Sequence, residues 1–215
     1  QPAFTHLHES VRKHSGHGWS PTELADLPEP EVKKLRRVQY SWKTEHSMNW
    51  DELAQQMLKQ IQSLAIVNLK RHAKELFETF QNHQSENLFH LSTNLCPAHR
   101  ASVLKDVRSH LDQKQNCYLI ATQCVEAGVD VDFPEVWRAL APLDSIIQAA
   151  GRCNREGRLP THGITHIFLP EQLRYPGRAY KQAALLTQNL LNRYGIEKFD
   201  LYNPEIIRAY YQELY

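Results

Sequence analysis

The sequence predicts an α/β fold: an open, mainly parallel sheet with helices on both faces. Two observations carry this. Leu64-Ala65-Ile66-Val67 and Cys117 to Thr122 are short apolar runs suited to strands buried on both faces. Between such runs lie stretches of ten to fifteen residues with apolar side chains at helical spacing, joined by short turns. Strands that alternate with helices in this way call for parallel pairing through right-handed crossovers.

In chain order, Val38-Gln39-Tyr40-Ser41-Trp42 alternates like a strand. Trp50 to Ser63 places Leu53, Met57, Leu58 and Ile61 on a helical stripe with Asp51 in the first turn. After Leu64 to Val67, Asn68 stands where it would cap a helix whose apolar positions are Leu69, Ala73, Leu76, Phe77 and Phe80. Asn87 to Ser92 reads as a strand, and Pro97 opens a helix with Leu104, Val107 and Leu111 inward. Cys117 to Thr122, Glu135 to Leu140 and Ile164 to Leu169 complete the strands. Helices are expected from Asp144, over Tyr180 to Tyr194 and over Pro204 to Leu214.

Composition bounds the function. The 215 residues carry 25 basic and 24 acidic side chains, a net charge of +1, so bulk positive charge supplies no affinity for nucleic acid and any such binding must be local. No apolar run approaches the roughly 18 residues of a membrane span, and the chain opens on Gln1 without a basic, apolar leader, so a cytoplasmic protein is expected. The missing initiator Met suggests a piece of a longer polypeptide. Cys96, Cys117, Cys124 and Cys153 are scattered without a C-x-x-C pair and read as small buried hydrophobes. Residues 1–34 hold four prolines and cluster His6, His8, His14 and His17, which reads as an irregular connector. Those histidines have no carboxylate or thiol at ligand spacing, so no metal site is expected.

The absences constrain the chemistry further. The chain has no phosphate-cradling G-x-x-x-x-G-K-[ST] loop, no G-x-G-x-x-G, no D-E-x-D/H box, no G-x-S-x-G and no H-E-x-x-H. It therefore supplies neither the cradle nor the magnesium-binding carboxylate of a complete nucleotide hydrolase. What it does contain is Gln148-Ala149-Ala150-Gly151-Arg152-Cys153-Asn154-Arg155. Gln148, Gly151, Arg152 and Arg155 stand at i, i+3, i+4 and i+7, one face if the helix from Asp144 continues that far. Two guanidinium forks beside a small glycine suit a polyphosphate, although a solvated helix end with basic residues on its dipole has the same composition. Upstream, Thr122-Gln123-Cys124-Val125-Glu126-Ala127-Gly128-Val129-Asp130 leaves a buried strand. Thr122 and Gln123 offer hydrogen-bonding side chains where the sheet opens, and Gly128 lets the backbone turn to present Asp130 to a hydroxyl-bearing ligand such as a ribose.

In order and separation these blocks resemble motifs V and VI of superfamily 2 helicases, with the Q-x-x-G-R-x-x-R form of motif VI intact. The stretch from Thr122 to Gly157 is more specifically similar to the helicase-nuclease that degrades DNA in type I CRISPR systems. Val67-Asn68, His90-Leu91-Ser92-Thr93 with Pro97-Ala98-His99-Arg100, and Ile207-Arg208-Ala209-Tyr210-Tyr211 resemble further elements of that family.

The resemblance implies the second RecA-like lobe of an ATP-driven single-stranded-DNA translocase. It implies a connector over residues 1–34, the lobe over 35–198, and the start of a following region over 199–215. The phosphate loop and D-E-x-H box would belong to an upstream RecA-like lobe, with an HD nuclease domain before it. Arg155 would be the arginine finger, with Arg152 and Gln148 beside it, and Gly128, Asp130 and Gly151 on the nucleotide side. Thr122 and Gln123 would touch the DNA backbone, with Asn68, Thr93 and Arg100 in the same groove. ATP and magnesium would be held mainly by the upstream lobe, and the partners would be single-stranded DNA, the upstream lobe and nuclease domain, and the CRISPR RNA-guided surveillance complex. A free-standing nucleic-acid or protein interaction module that kept a RecA-like fold is the alternative, and a nuclease working through the N-terminal histidines is a third reading.

Overall fold

A computed structural model describes His14 and residues 36–84 and 86–215. The expected connector histidines other than His14 lie outside the described residues. Contacts divide the chain into two compact units, residues 37–185, and residues 1–36 with 186–215.

The larger unit is a six-stranded sheet. Its elements are β1 (Val38–Met48), α1 (Trp50–Met57), β2 (Gln62–Val67), α2 (Lys70–His83), β3 (Leu88–Leu91), α3 (Pro97–Asp112), β4 (Cys117–Thr122), β5 (Glu135–Ala139), α4 (Leu143–Ala150) and β6 (Gly163–Pro170). The strand order is β1-β6-β5-β2-β4-β3, with every pair parallel. Alternation along the central strands divides the core between the two faces. Leu64, Ile66, Leu119, Ala121 and Val136 pack with Val107 of α3 and with Ala149 and Ala150 of α4. Ala65, Val67, Ile120, Trp137 and Ala139 pack on the other face with Leu53 and Met57 of α1 and with Ala73, Leu76 and Phe80 of α2. β2 and β4 are buried at every residue, as expected of continuous apolar runs.

Several boundaries differ from expectation. β1 runs on to Met48, and α1 stops at Met57 rather than Ser63. Gln62 and Ser63 join β2 instead, because backbone carbonyls satisfy their buried side chains: Gln62 Nε2 donates to Gln115 O at 3.0 Å and Ser63 Oγ to Met57 O at 3.3 Å. Asn49 closes a capping box with Glu52 on α1. Asn68 does not cap α2. The N-cap residue is Leu69, with no side-chain hydrogen bond, because Asn68 is engaged elsewhere. Cys117 and Cys153 are buried as expected, whereas Cys96 is exposed at the N-cap of α3 and Cys124 is half-buried.

In the smaller unit, Leu190 and Leu191 of α5 (Arg178–Tyr194) and Ile206 and Tyr210 of α6 (Pro204–Leu214) are buried. Asn203 caps α6, and Arg36 pairs with Asp200 at 2.9 Å. Among the described residues no helix is long and apolar enough to cross a membrane.

Candidate functional site

The loop that leaves β4 makes a single 3₁₀ turn over Gln123–Val125 and then runs back along the sheet to the amino end of β5. Gly128 sits at φ +68° on that path. A Cβ there would meet nothing within 4 Å, so the left-handed backbone, not crowding, calls for glycine.

α4 ends at Ala150 and Gly151 is its C-cap. Only Gln148 of the expected four-residue face therefore lies within the helix, a correction with a clear cause. Phe133 donates its N–H to Arg152 O at 2.9 Å and accepts from Asn154 N–H at 2.9 Å, forming a parallel bridge that draws the chain out of helical geometry beside β5. Asn154 takes a left-handed φ of +42°, and its Nδ2 donates to Arg37 O at 3.0 Å. Asp132 Oδ1 accepts the Arg155 N–H at 2.7 Å, and its Oδ2 the Glu156 N–H at 3.2 Å. Both arginines are thus borne on a braced turn.

The two guanidiniums have different surroundings. Arg152 is half-buried, its Nε donating to Val125 O at 2.9 Å and one terminal nitrogen to Glu126 O at 2.6 Å. Burial, and then the Arg155 charge, push its pKa down from the ordinary guanidinium value. Arg152 clamps the loop that carries Gly128. Arg155 is 40% exposed, with one terminal nitrogen 3.4 Å from Asp130 Oδ1 and 3.4 Å from Val129 O. Asp130, expected to await a ribose, is the exposed partner of Arg155 in this state, and its carbonyl accepts from Arg108 Nε at 2.7 Å. Gln148 and Gly151 are exposed on the same stretch. Arg155, a glutamine amide and unhindered backbone can bind phosphate oxygens, whereas Arg152, expected beside the finger, has its donors on the Val125, Glu126 and Gly151 carbonyls. Among the described residues no cluster of His, Cys, Asp and Glu is arranged to hold a metal ion.

The expected DNA-facing residues lie at the opposite, carboxyl ends of the strands. Thr93 is exposed. Gln123 Nε2 donates to Asn68 O at 2.8 Å, and Arg100 donates to Cys124 O at 2.8 Å, so both half-buried side chains brace backbone. Asn68 and Thr122 are buried, contrary to their expected place on a groove surface. Asn68 Nδ2 donates to Leu140 O at 2.8 Å, and Thr122 Oγ1 donates to Cys124 Sγ at 3.5 Å.

Sequence reasoning missed the cation behind this arrangement. Arg138 of β5 is fully buried, with one terminal nitrogen 2.8 Å from Glu126 Oε1 and 2.7 Å from Tyr180 Oη. The other donates to Asn68 Oδ1 at 2.8 Å, Ala139 O at 2.9 Å and Ile66 O at 3.3 Å. Burial pushes the Glu126 carboxyl up, opposed first by the Arg138 charge and then by a Ser145 hydrogen bond. An arginine inside the otherwise apolar run Val136-Trp137-Arg138-Ala139-Leu140 was the available signal.

Residues 59–158 match the family described as CRISPR-associated nuclease/helicase Cas3, C-terminal. A CRISPR-associated nuclease/helicase Cas3 from Haloferax volcanii is 68% identical over 37 residues, covering 17% of this chain and 4% of that protein. One from Methanothermobacter thermautotrophicus is 28% identical over 155 residues, covering 70% of this chain and 18% of that protein. The crystal structure of T. fusca Cas3-AMPPNP shares the fold with a TM-score of 0.65 at 17% identity, covering 97% of this chain and 30% of that one. The chain thus spans less than a third of each of these relatives. With its parallel sheet and the arginine-bearing turn after α4 in place, the chain is similar to the second, C-terminal RecA-like helicase lobe of the CRISPR-associated helicase-nuclease Cas3.

Proposed function

We propose that this lobe supplies the arginine finger and part of the DNA track of an ATP-dependent single-stranded-DNA translocase in CRISPR antiviral defence, working in the cytoplasm. The observation that carries the reading is Arg155. It is a guanidinium on a braced turn, partly exposed and restrained only by long contacts of 3.4 Å to the exposed Asp130 carboxylate and the Val129 carbonyl. A polyphosphate held by an upstream lobe could take the place of Asp130. ATP supplies the transferable phosphoryl group, and magnesium belongs with it in that other lobe. Arg155 then provides positive charge where negative charge develops on the phosphoryl and leaving oxygens in the transition state, Gln148 adds an amide, and Arg152 keeps the loop in register from behind.

The DNA side is assigned to contacts with phosphates, which suit a motor that passes over any sequence. Thr93 is exposed to make such a contact, and Gln123 and Arg100 lie at the rim. Asn68 and Thr122 shape the floor from beneath. Closure against an upstream lobe would bring the finger in, and reopening would release the strand for the next step. The proposed partners are that lobe, an HD nuclease domain and an RNA-guided surveillance complex.

The reading is tested by assaying the isolated chain and the chain joined to its upstream lobe. We expect negligible ATP turnover alone and DNA-stimulated turnover when the lobe is supplied. Robust ATP hydrolysis by the isolated chain would contradict it. DNA binding that no upstream lobe turns into ATP hydrolysis would favour a free-standing interaction module.

A further inference from the structure

The structure separates the two candidate surfaces. Arg155, Asp130 and Asp132 gather toward the amino end of β5, whereas Asn68, Thr122 and Gln123 lie at the carboxyl ends of β2 and β4. β5 is five residues long, which at about 3.3 Å per residue puts roughly 16 Å of strand between them. A motor needs the two to communicate, and one buried side chain touches structures that lead to both.

We infer that Arg138 is the positioning residue that couples DNA contact to the nucleotide-facing turn, an inference that rests on the motor reading above. On one side its guanidinium meets the Glu126 carboxylate, and the Glu126 backbone carbonyl accepts from Arg152, the neighbour of the finger on the same turn. On the other side Arg138 holds Asn68 Oδ1. The Asn68 carbonyl accepts from Gln123, and its Nδ2 holds Leu140 O at the approach to α4. Tyr180 Oη bridges the two halves, accepting from Arg138 at 2.7 Å and donating to Asn68 Oδ1 at 3.1 Å. A shift of Gln123 against a phosphate thereby displaces Asn68, and through the shared guanidinium it displaces Glu126 and the carbonyls that hold Arg152.

A fork fits this role where a point charge does not. Arg138 spreads contacts to Glu126, Asn68, Tyr180 and two strand carbonyls over its terminal nitrogens, and a lysine ammonium with three donors cannot span the same set. Such a buried ionic hub is costly to desolvate, and a hydrophobic replacement would hold the strand as well. The network is therefore better explained by fixing two arrangements of the loop relative to Asn68 than by stability alone.

The test uses the full-length protein that carries this lobe, measuring ATP turnover with and without single-stranded DNA for wild type, Arg138→Lys and Tyr180→Phe. Tyr180→Phe removes only the bridging hydroxyl of a half-buried side chain, so it decides the matter if Arg138→Lys does not fold. We expect Tm near wild type and DNA-free turnover within about twofold for Tyr180→Phe. The ratio of DNA-stimulated to DNA-free turnover should fall about tenfold in Arg138→Lys and several-fold in Tyr180→Phe. A merely structural role would lower Tm and both rates together. Stimulation at the wild-type ratio in folded Tyr180→Phe overturns the inference alone. A wild-type protein whose ATP turnover ignores DNA overturns the motor reading beneath it.

Discussion

Glu126 and Arg138 form a buried ion pair, with 2.8 Å between Oε1 and a terminal guanidinium nitrogen and relative exposures of 7% and 0%. Removing one partner strands the other in the core. We expect Arg138→Met to cost about 3–5 kcal/mol of unfolding free energy, and the double replacement Arg138→Met with Glu126→Leu to recover most of it. Urea titration of the four corners of the cycle checks this, and additive costs would contradict the pairing.

His72 is fully buried, with neither ring nitrogen hydrogen-bonded, and packs 5.3 Å from the Trp50 ring. Burial lowers its pKa below 6.5, the Glu75 charge opposes this, and Arg71 and Arg174 add to it. The folded state thus holds a neutral imidazole while the unfolded chain takes a proton near 6.5. Its stabilising contribution is full above that value and is lost as pH falls through it. We expect His72→Leu to flatten the stability profile between about pH 6.5 and 5, read from denaturation midpoints. An unchanged slope would contradict the assignment.

The thiols should report the core directly. Burial pushes Cys117 and Cys153 up to about 12, whereas Cys96 is exposed. With an aromatic disulfide reagent near pH 8, Cys96 should react first, Cys124 more slowly, and the two buried thiols only on unfolding. Mass spectrometry of labelled peptides separates the four sites. Labelling of Cys153 as fast as Cys96 in folded protein would mean that the arginine-bearing turn is open.

Gly163 and Gly128 should respond differently to alanine. A Cβ at Gly163 would lie 2.6 Å from Cys153 Sγ and 2.8 Å from Asn154 Cβ, pressing on that same turn. We expect Gly163→Ala to destabilise by about 1–3 kcal/mol through overpacking. Gly128→Ala meets nothing within 4 Å, so it should cost only about 1 kcal/mol of left-handed backbone strain. Equal losses at both positions would contradict the difference in packing.

The fold was largely legible because its strands are buried on both faces and its helices one-sided, so period and length separated them. Helix ends were less legible. Gly151 is the one local mark of the stop at Ala150, and the pairing with Phe133 that draws the chain out of the helix comes from seventeen residues upstream. The site was half legible. Arg152 and Arg155 were found through their motif, whereas the partners that give them different surroundings, Asp132 and the Glu126 carbonyl, join only when the loop folds back on the turn. Asn68 was assigned to the groove through the family resemblance, and the reason it turns inward is a cation 70 residues away in sequence.

The central claim is that Arg155 acts on a nucleotide bound in another lobe, and single-turnover ATP hydrolysis by the full-length protein bearing Arg155→Ala, with DNA present, tests it most directly. We expect a fall of about a thousandfold in the hydrolysis rate, with ATP binding retained within about tenfold. Hydrolysis within a few-fold of wild type, in a variant of unchanged Tm, would contradict it.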